Sequence, residues 1–309
     1  MAARVSVIGA GVIGLSCAVR LAEAGHSVDV LAREMPLETT SAVAGGLWQP
    51  FLAEPRDQVE RWGHATYRAL AELAGDSATG VVLRPGYIVG TDERPTFADG
   101  LPVDLTHVNH PHPQHRNGWH LTVPMVDMSV YLPYLVARLQ AAGGTLTRLP
   151  LTALPTRGLI VNCTGLASRA LAADPTVFPV RGQVLRMSNP GINEWWANDA
   201  DPDVLTYVLP HRQHVVVGGT AQDNNFDTTP DQVLAEQILQ RAKELVPALG
   251  RATVLAHRVG LRPARPAVRL ETVRAAEGTT VHCYGHGGSG VTLSWGCADD
   301  VLAEVAALA

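Results

Sequence analysis

"VSVIGAGVIGLSCAV", residues 5–19, decides the fold. Val5 to Ile8 form the short apolar run of a buried parallel strand, and Leu15, Ala18, Val19 and Ala22 recur at helical spacing up to Gly25. Val28 to Leu31 reads as a second strand, so the first 34 residues predict a βαβ unit. Between strand and helix, Gly9, Gly11 and Gly14 fit G-x-G-x-x-G, with Ala10, Val12 and Ile13 completing the turn. In this setting Gly9 permits a tight turn, Gly11 lets backbone approach a pyrophosphate, and Gly14 allows close helix-strand packing. The helix N-terminus then attracts the phosphate charge. A dinucleotide ligand is expected.

The second strand ends in "VDVLARE", where Ala32 stands at the place of the usual ribose-binding acid and Arg33 and Glu34 follow. Glu34 is assigned the ribose and Arg33 the adenosine side, although an arginine here also suits the 2′-phosphate of NADP. The C-terminal "YGHGGSGVT", residues 284–292, argues for a flavin. Its glycines let backbone pass close to a flat ligand, and the following helix aims its positive end there. A nicotinamide enzyme has no evident use for such a second helix start. With FAD, it stabilises negative charge on the reduced ring.

The 309 residues are enough for one large or two ordinary domains. With 24 Lys and Arg against 29 Asp and Glu, the net charge of -5 gives no general attraction to nucleic acid or anionic membranes. No apolar run reaches membrane-spanning length. The glycines at patterned spacing argue that the N-terminal apolar run is structure and not a secretory signal. Cys17, Cys163, Cys283 and Cys297 show no C-x-x-C pairing and read as reduced, buried thiols, so a cytoplasmic protein without a metal site is expected. Self-association into a homo-oligomer stays open.

Helices are expected over Arg56 to Ala74, Met128 to Ala142, Asp231 to Leu245 and Val291 to Leu308. "RGQVLRM" (181–187), "LTYVLP" (205–210) and "HVVVGGT" (214–220) are expected as antiparallel strands of a separate sheet. The histidine-rich "HVNHPHPQHR" (107–116) has prolines between its rings and no partnering Cys or carboxylate motif, and a surface loop is expected.

"VIGAGVIGLS", "AGGLWQPF", "VNCTG", "RGQV", "GLRPARPAVRLE" and "YGHGGSGVTLSWGCA" occur in the order and approximate spacing of the D-amino-acid oxidases, which this chain resembles from residue 5 to about 300. The resemblance implies an α/β chain with a Rossmann-like FAD-binding domain (1–75, 145–180 and 270–309). This domain is interleaved with a substrate domain (76–144 and 181–269) built on a mixed, largely antiparallel sheet. It implies oxidative deamination of a D-amino acid. A hydride moves from the α-carbon to flavin N5, the imino acid hydrolyses to a 2-oxo acid and ammonia, and oxygen is reduced to hydrogen peroxide. D-aspartate oxidases and glycine or secondary-amine oxidases are the neighbouring alternatives.

The resemblance also assigns single residues. Arg262, the first arginine of G-x-R-P, and Tyr207 take the substrate carboxylate, and the carbonyl of Gly288 takes its amine, with Ser289 beside it in place of a tyrosine of the mammalian members. Flavin contacts fall on Thr40, Ser41, Gly45, Gly46 and Leu47, on Thr164 and Gly165, and on Gly287, Gly288, Gly290, Val291 and Thr292. A guanidinium suits the carboxylate role because its parallel donors match two oxygens and it stays charged when partly buried. Pro263 and Pro266 limit backbone freedom around it. Arg265 and Arg269 are expected to be solvated or ion-paired. The mammalian active-site tyrosine four residues before Tyr207 is replaced by Asp203, so "NEWWANDADPDV" (193–204) is expected to be a differently built cover, with Trp195 or Trp196 shaping the pocket.

Overall fold

The computed structural model describes residues 2–51, 53–198 and 204–308. Strand β1 (Arg4–Ile8), helix α1 (Val12–Glu23) and strand β2 (Ser27–Ala32) form the expected βαβ unit. Gly25 lies just beyond α1 at φ +90°, the left-handed turn that ends helices. Two short 3-10 turns lead through residues 44–51 to α2 (Arg56–Leu73), which buries Val59, Trp62, Tyr67 and Leu70. Then come β3 (Val81–Val89), β4 (Leu105–His112), β5 (His115–Val126), α3 (Met128–Ala141) and β6 (Thr145–Arg148). They are followed by β7 (Gly158–Asn162), α4 (Ser168–Leu171), β8 (Phe178–Ser188), β9 (Trp195–Asn198), β10 (Thr206–Pro210), β11 (His214–Gly218) and β12 (Gln222–Asp223). The chain closes with α5 (Gln232–Leu245), β13 (Val254–Ala264), β14 (Arg269–Arg274), β15 (Gly278–Tyr284) and α6 (Gly290–Ala306).

Among the described residues, six strands form one sheet in the order β14-β15-β7-β1-β2-β6, parallel except at the β14 edge. Its order reverses beside β1, so the carboxyl ends of β1 and β7 frame the crevice where open α/β sheets bind ligands. A nine-stranded, mainly antiparallel sheet runs β12-β8-β11-β10-β9-β3-β5-β4, with β13 also paired to β8. One face packs on α5 through Val208, Val217 and Leu185, while Leu209, Val216, Val184 and Trp195 join the main core shared with α1, α2, α3 and α6. Strand alternation therefore puts Tyr207, beside Leu209 in sequence parity, on the main-core face. No described helix is long and apolar enough to cross a membrane.

Two expectations change. The histidine-rich segment is not a loop but the β4–β5 hairpin, with Pro113 and Gln114 between its strands and His112 buried. Prolines break central strands, yet β4 lies at the sheet edge, where Pro111 is tolerated. Within the expected cover, Trp195–Asn198 is a strand held between β10 and β3. Trp195 is buried with Nε1 donating to the Arg84 carbonyl, whereas Trp196 stacks on Tyr87 at 4.4 Å on the α5 side. Trp196 thus faces away from Tyr207. Asp203 lies outside the described residues.

Candidate active site

The glycine turn is shaped by what a side chain would strike. A Cβ on Gly9 would collide with the Cys163 carbonyl at the end of β7, and one on Gly14 with the Gly9 carbonyl. At Gly11 the nearest atom is Ser41 Oγ, 3.2 Å away. A side chain at Gly11 would therefore crowd the Ser41 hydroxyl. Ser41 Oγ accepts from Val12 N at 3.0 Å and so takes one first-turn donor of α1, while Gly11 adds no side-chain cap; the positive helix end still attracts an anion. Ala10 and Val12 are buried and Ile13 half-buried beneath this turn. One strand over, Arg33 and Glu34 follow β2 as an exposed ion pair of 2.5 Å. Thr164 bonds Asn162 and Ser168, and Gly165 has φ +54° beside Pro263.

A second open helix end faces the first. Ser289 precedes α6 but does not cap it. Its hydroxyl accepts from Phe51 N at 2.6 Å and donates to Phe51 O at 2.8 Å, and the residue is fully buried. This placement turns Ser289 from a substrate contact into a clamp, because both polar faces of the hydroxyl are spent on the 49–51 segment. Thr292 does the same for Gln49, and Val291 is buried beside it. Gly287, at φ +54°, donates to the Pro263 carbonyl at 2.9 Å, and Gly288 is exposed with its Cα against the Phe51 ring. Gly290 comes close to Val12 of the first turn. Thr40 donates to Leu261 O, Gly46 packs its backbone on Val126, Leu47 bridges to Met125, and the Gly45 carbonyl faces His211 Nε2 at 3.0 Å. Two uncapped helix ends, two glycine turns and a small-residue loop between them fit an extended dinucleotide flavin.

Arg262 stands on β13 opposite Val180 of β8. Its Nη1 donates to Thr220 O at 2.8 Å, and its guanidinium lies 5.8 Å above the Phe51 ring. Gly182 makes room for it: a Cβ there would sit 2.6 Å from Cζ, Nη1 and Nη2. Tyr207 lies flat on Gly218 and Gly219, where any side chain would strike its ring. Burial pushes the Tyr207 phenol up, against the opposing pull of the neighbouring Arg262 charge and hydrogen bond, so it stays a donor at neutral pH. Gly182, Phe51, Thr220 and the Gly218-Gly219 pair were not singled out from sequence. The glycines were visible as "RGQV" and "VGGT", but only strand pairing shows which side chain each one admits.

Arg265 and Arg269 serve the frame. Asp174 is buried and accepts from Arg265 Nε at 2.9 Å and from Tyr284 Oη at 2.9 Å, while Arg269 Nη1 donates to that Oη at 2.5 Å. Burial raises the Asp174 carboxyl, but donation from Thr176, Tyr284 and Arg265 outweighs it and holds the group well below the usual carboxylate range. This network ties residues 265–269 to β15, immediately before the glycine loop.

The architecture is shared with solved structures. Glycine oxidase from Bacillus cereus superposes with a TM-score of 0.81 over 99% of this chain and 96% of its own, at 19% identity. D-amino-acid oxidase from Rubrobacter xylanophilus is 44% identical, covering 97% of this chain and 95% of its own. D-amino-acid oxidase from Streptomyces coelicolor is also 44% identical, over 96% and 94%. Residues 4–304 match a family model described as FAD dependent oxidoreductase. That match spans both sheets and both helix ends that frame the crevice, and this chain belongs to the FAD dependent oxidoreductase family.

Proposed function

We propose that this enzyme oxidises neutral D-amino acids to 2-oxo acids and ammonia, with oxygen reduced to hydrogen peroxide. The placement of Arg262 and Gly288 against Phe51, with Tyr207 hydrogen-bonded to Arg262, supports it most directly. Arg262, steadied by Thr220, has donors left to grip a carboxylate with two parallel bonds. Tyr207, kept protonated, donates to the same group. The Gly288 carbonyl accepts from the amine, and these anchors fix which face of the α-carbon is presented. FAD, when bound, supplies the acceptor for the α-hydrogen as hydride. The chain's own contribution is orientation, which by itself is worth several kcal/mol, on the order of 7 or more in well-aligned systems.

The turn Gly9–Gly14, Arg33 and Glu34, Thr40, Ser41, Gly45, Gly46 and Leu47, Thr164 and Gly165, and Gly287, Gly288, Gly290, Val291 and Thr292 are proposed to hold FAD. The segments 1–75, 145–180 and 270–309 form its domain, and 76–144 and 181–269 that of the substrate. Four free thiols suit a reducing compartment such as the cytoplasm. The D-amino-acid preference follows the Rubrobacter and Streptomyces relatives.

The test is Arg262→Ala with a panel of D-alanine, D-aspartate, glycine, sarcosine and L-alanine. Losing a charge-assisted fork costs about 2–5 kcal/mol, roughly 30- to 5,000-fold in kcat/KM for D-alanine, with flavin retained. Unchanged kinetics, or wild-type preference for D-aspartate, glycine or L-alanine, would reject the assignment.

A further inference from the structure

The four cysteines that looked scattered in the sequence converge in the fold. Cys17 comes from α1, Cys163 follows β7, Cys283 lies in β15 and Cys297 in α6. The ligating atoms of Cys17, Cys163 and Cys283 lie within 4.8 Å of one another, and so do those of Cys283, His286 and Cys297. The Cys283 sulfur belongs to both sets. All five residues are buried, none more than 8% exposed.

Buried thiols alone need no ligand, since a free cysteine packs as a small hydrophobe. His286 is different. It is 3% exposed, and a buried imidazole is costly unless its nitrogens are satisfied. Its Nε2 points into the cluster, with Cys283 Sγ at 3.9 Å, and its other link there is a hydrogen bond with the Cys297 thiol; both partners are weak sulfur groups. A cation between these atoms satisfies the nitrogen and the sulfurs together.

We propose that Cys283, His286 and Cys297, completed by Cys163 or Cys17, bind one thiophilic divalent cation of the zinc class. Three sulfurs and one imidazole are a donor set of closed tetrahedral zinc sites, and soft sulfur disfavours magnesium and calcium. Tetrahedral ligation needs sulfurs about 3.8 Å apart, and each of the two three-residue groups, joined at Cys283, already holds its ligating atoms within 4.8 Å. Binding releases the three thiol protons, and three thiolates with a neutral imidazole around a divalent ion leave one net negative charge on the site. The site is structural. All its positions are filled by protein, and it lies behind the phosphate-binding turn, where a Gly14 Cβ would sit 3.3 Å from Cys163 Cβ.

The probe is cobalt(II), added to reduced, FAD-saturated enzyme. One cobalt per chain is expected, with the intense visible bands of tetrahedral thiolate ligation in the red, beyond flavin absorption, and their loss on adding zinc. Cys283→Ala, which removes the shared sulfur, should abolish the bands while visible flavin dichroism reports an intact cradle. If that variant does not fold, Cys297→Ala and the metal content of the wild-type enzyme decide. Wild-type enzyme that takes up no cobalt with thiolate bands overturns the proposal. So do thiolate bands that survive both substitutions, or cobalt bound without such bands, as at the histidine-rich hairpin.

Discussion

Gly182→Ala perturbs the proposed carboxylate anchor without replacing a charged residue. The added Cβ would lie 2.6 Å from three atoms of the Arg262 guanidinium, where ordinary contact begins at 3.4 Å. The guanidinium is the free end of a flexible side chain, so it retreats by about 1 Å and the β8–β13 ladder survives. That retreat strains the 2.8 Å bond to Thr220 O and the packing over Phe51. A displacement of this size misaligns both bonds of a carboxylate fork. Hydrogen bonds to charged groups are worth about 1.5–3 kcal/mol, which corresponds to roughly 10- to 150-fold. The loss should appear mainly in KM for D-alanine and in the dissociation constant of a simple carboxylate such as benzoate, read as a perturbation of the flavin spectrum. Flavin content and melting temperature should stay near wild type. If carboxylate affinity is unchanged with flavin bound, Gly182 does not set the position of Arg262 and the assignment of that arginine fails with it.

Gly14→Ala, whose Cβ would strike the rigid Gly9 backbone, should weaken FAD binding about 10- to 100-fold, measured by flavin fluorescence on titration; wild-type affinity would remove the turn from the cofactor site. Asp174→Asn should cost about 2–3 kcal/mol in denaturant unfolding, because Arg265 loses its counter-charge. The Asp174 carboxyl is depressed in the fold, so its contribution is present above an unfolded value near 3.8 and lost as pH falls below it. The variant should therefore show a shallower acid limb, and an unaltered limb would contradict this. His214 is held down to about 4 by burial, with His211 and Arg186 adding to the effect and Asp127 opposing it. Its contribution is present above 6.5 and lost as pH falls toward 4, so His214→Gln should flatten the melting temperature across that window, and an unchanged slope would exclude it.

Local pattern carried the N-terminal βαβ unit and the start of the last helix. Periodicity of 2 and 3.6 marks β1, α1 and β2, the glycine spacing marks the turn between them, and the second glycine run marks the start of α6. These are features of contiguous residues, so they survive in a one-dimensional string. The histidine-rich hairpin was hidden because its prolines obey edge-strand rules, and no residue announces that its strand is an edge.

The sequence by itself determined the βαβ start, the two glycine-rich helix starts proposed to meet the phosphate and the flavin and, through the family motifs, the proposed role of the arginine at 262. Tertiary structure alone decided that Ser289 is spent on Phe51, that Gly182 admits the Arg262 guanidinium, that Trp195 and Trp196 face opposite ways, and that four distant cysteines converge, two of them beside His286. The division has one physical cause. Conformational preference acts between neighbours along the chain, whereas the partner of a buried polar atom or of a missing Cβ is chosen by strand register and helix packing between residues far apart in sequence.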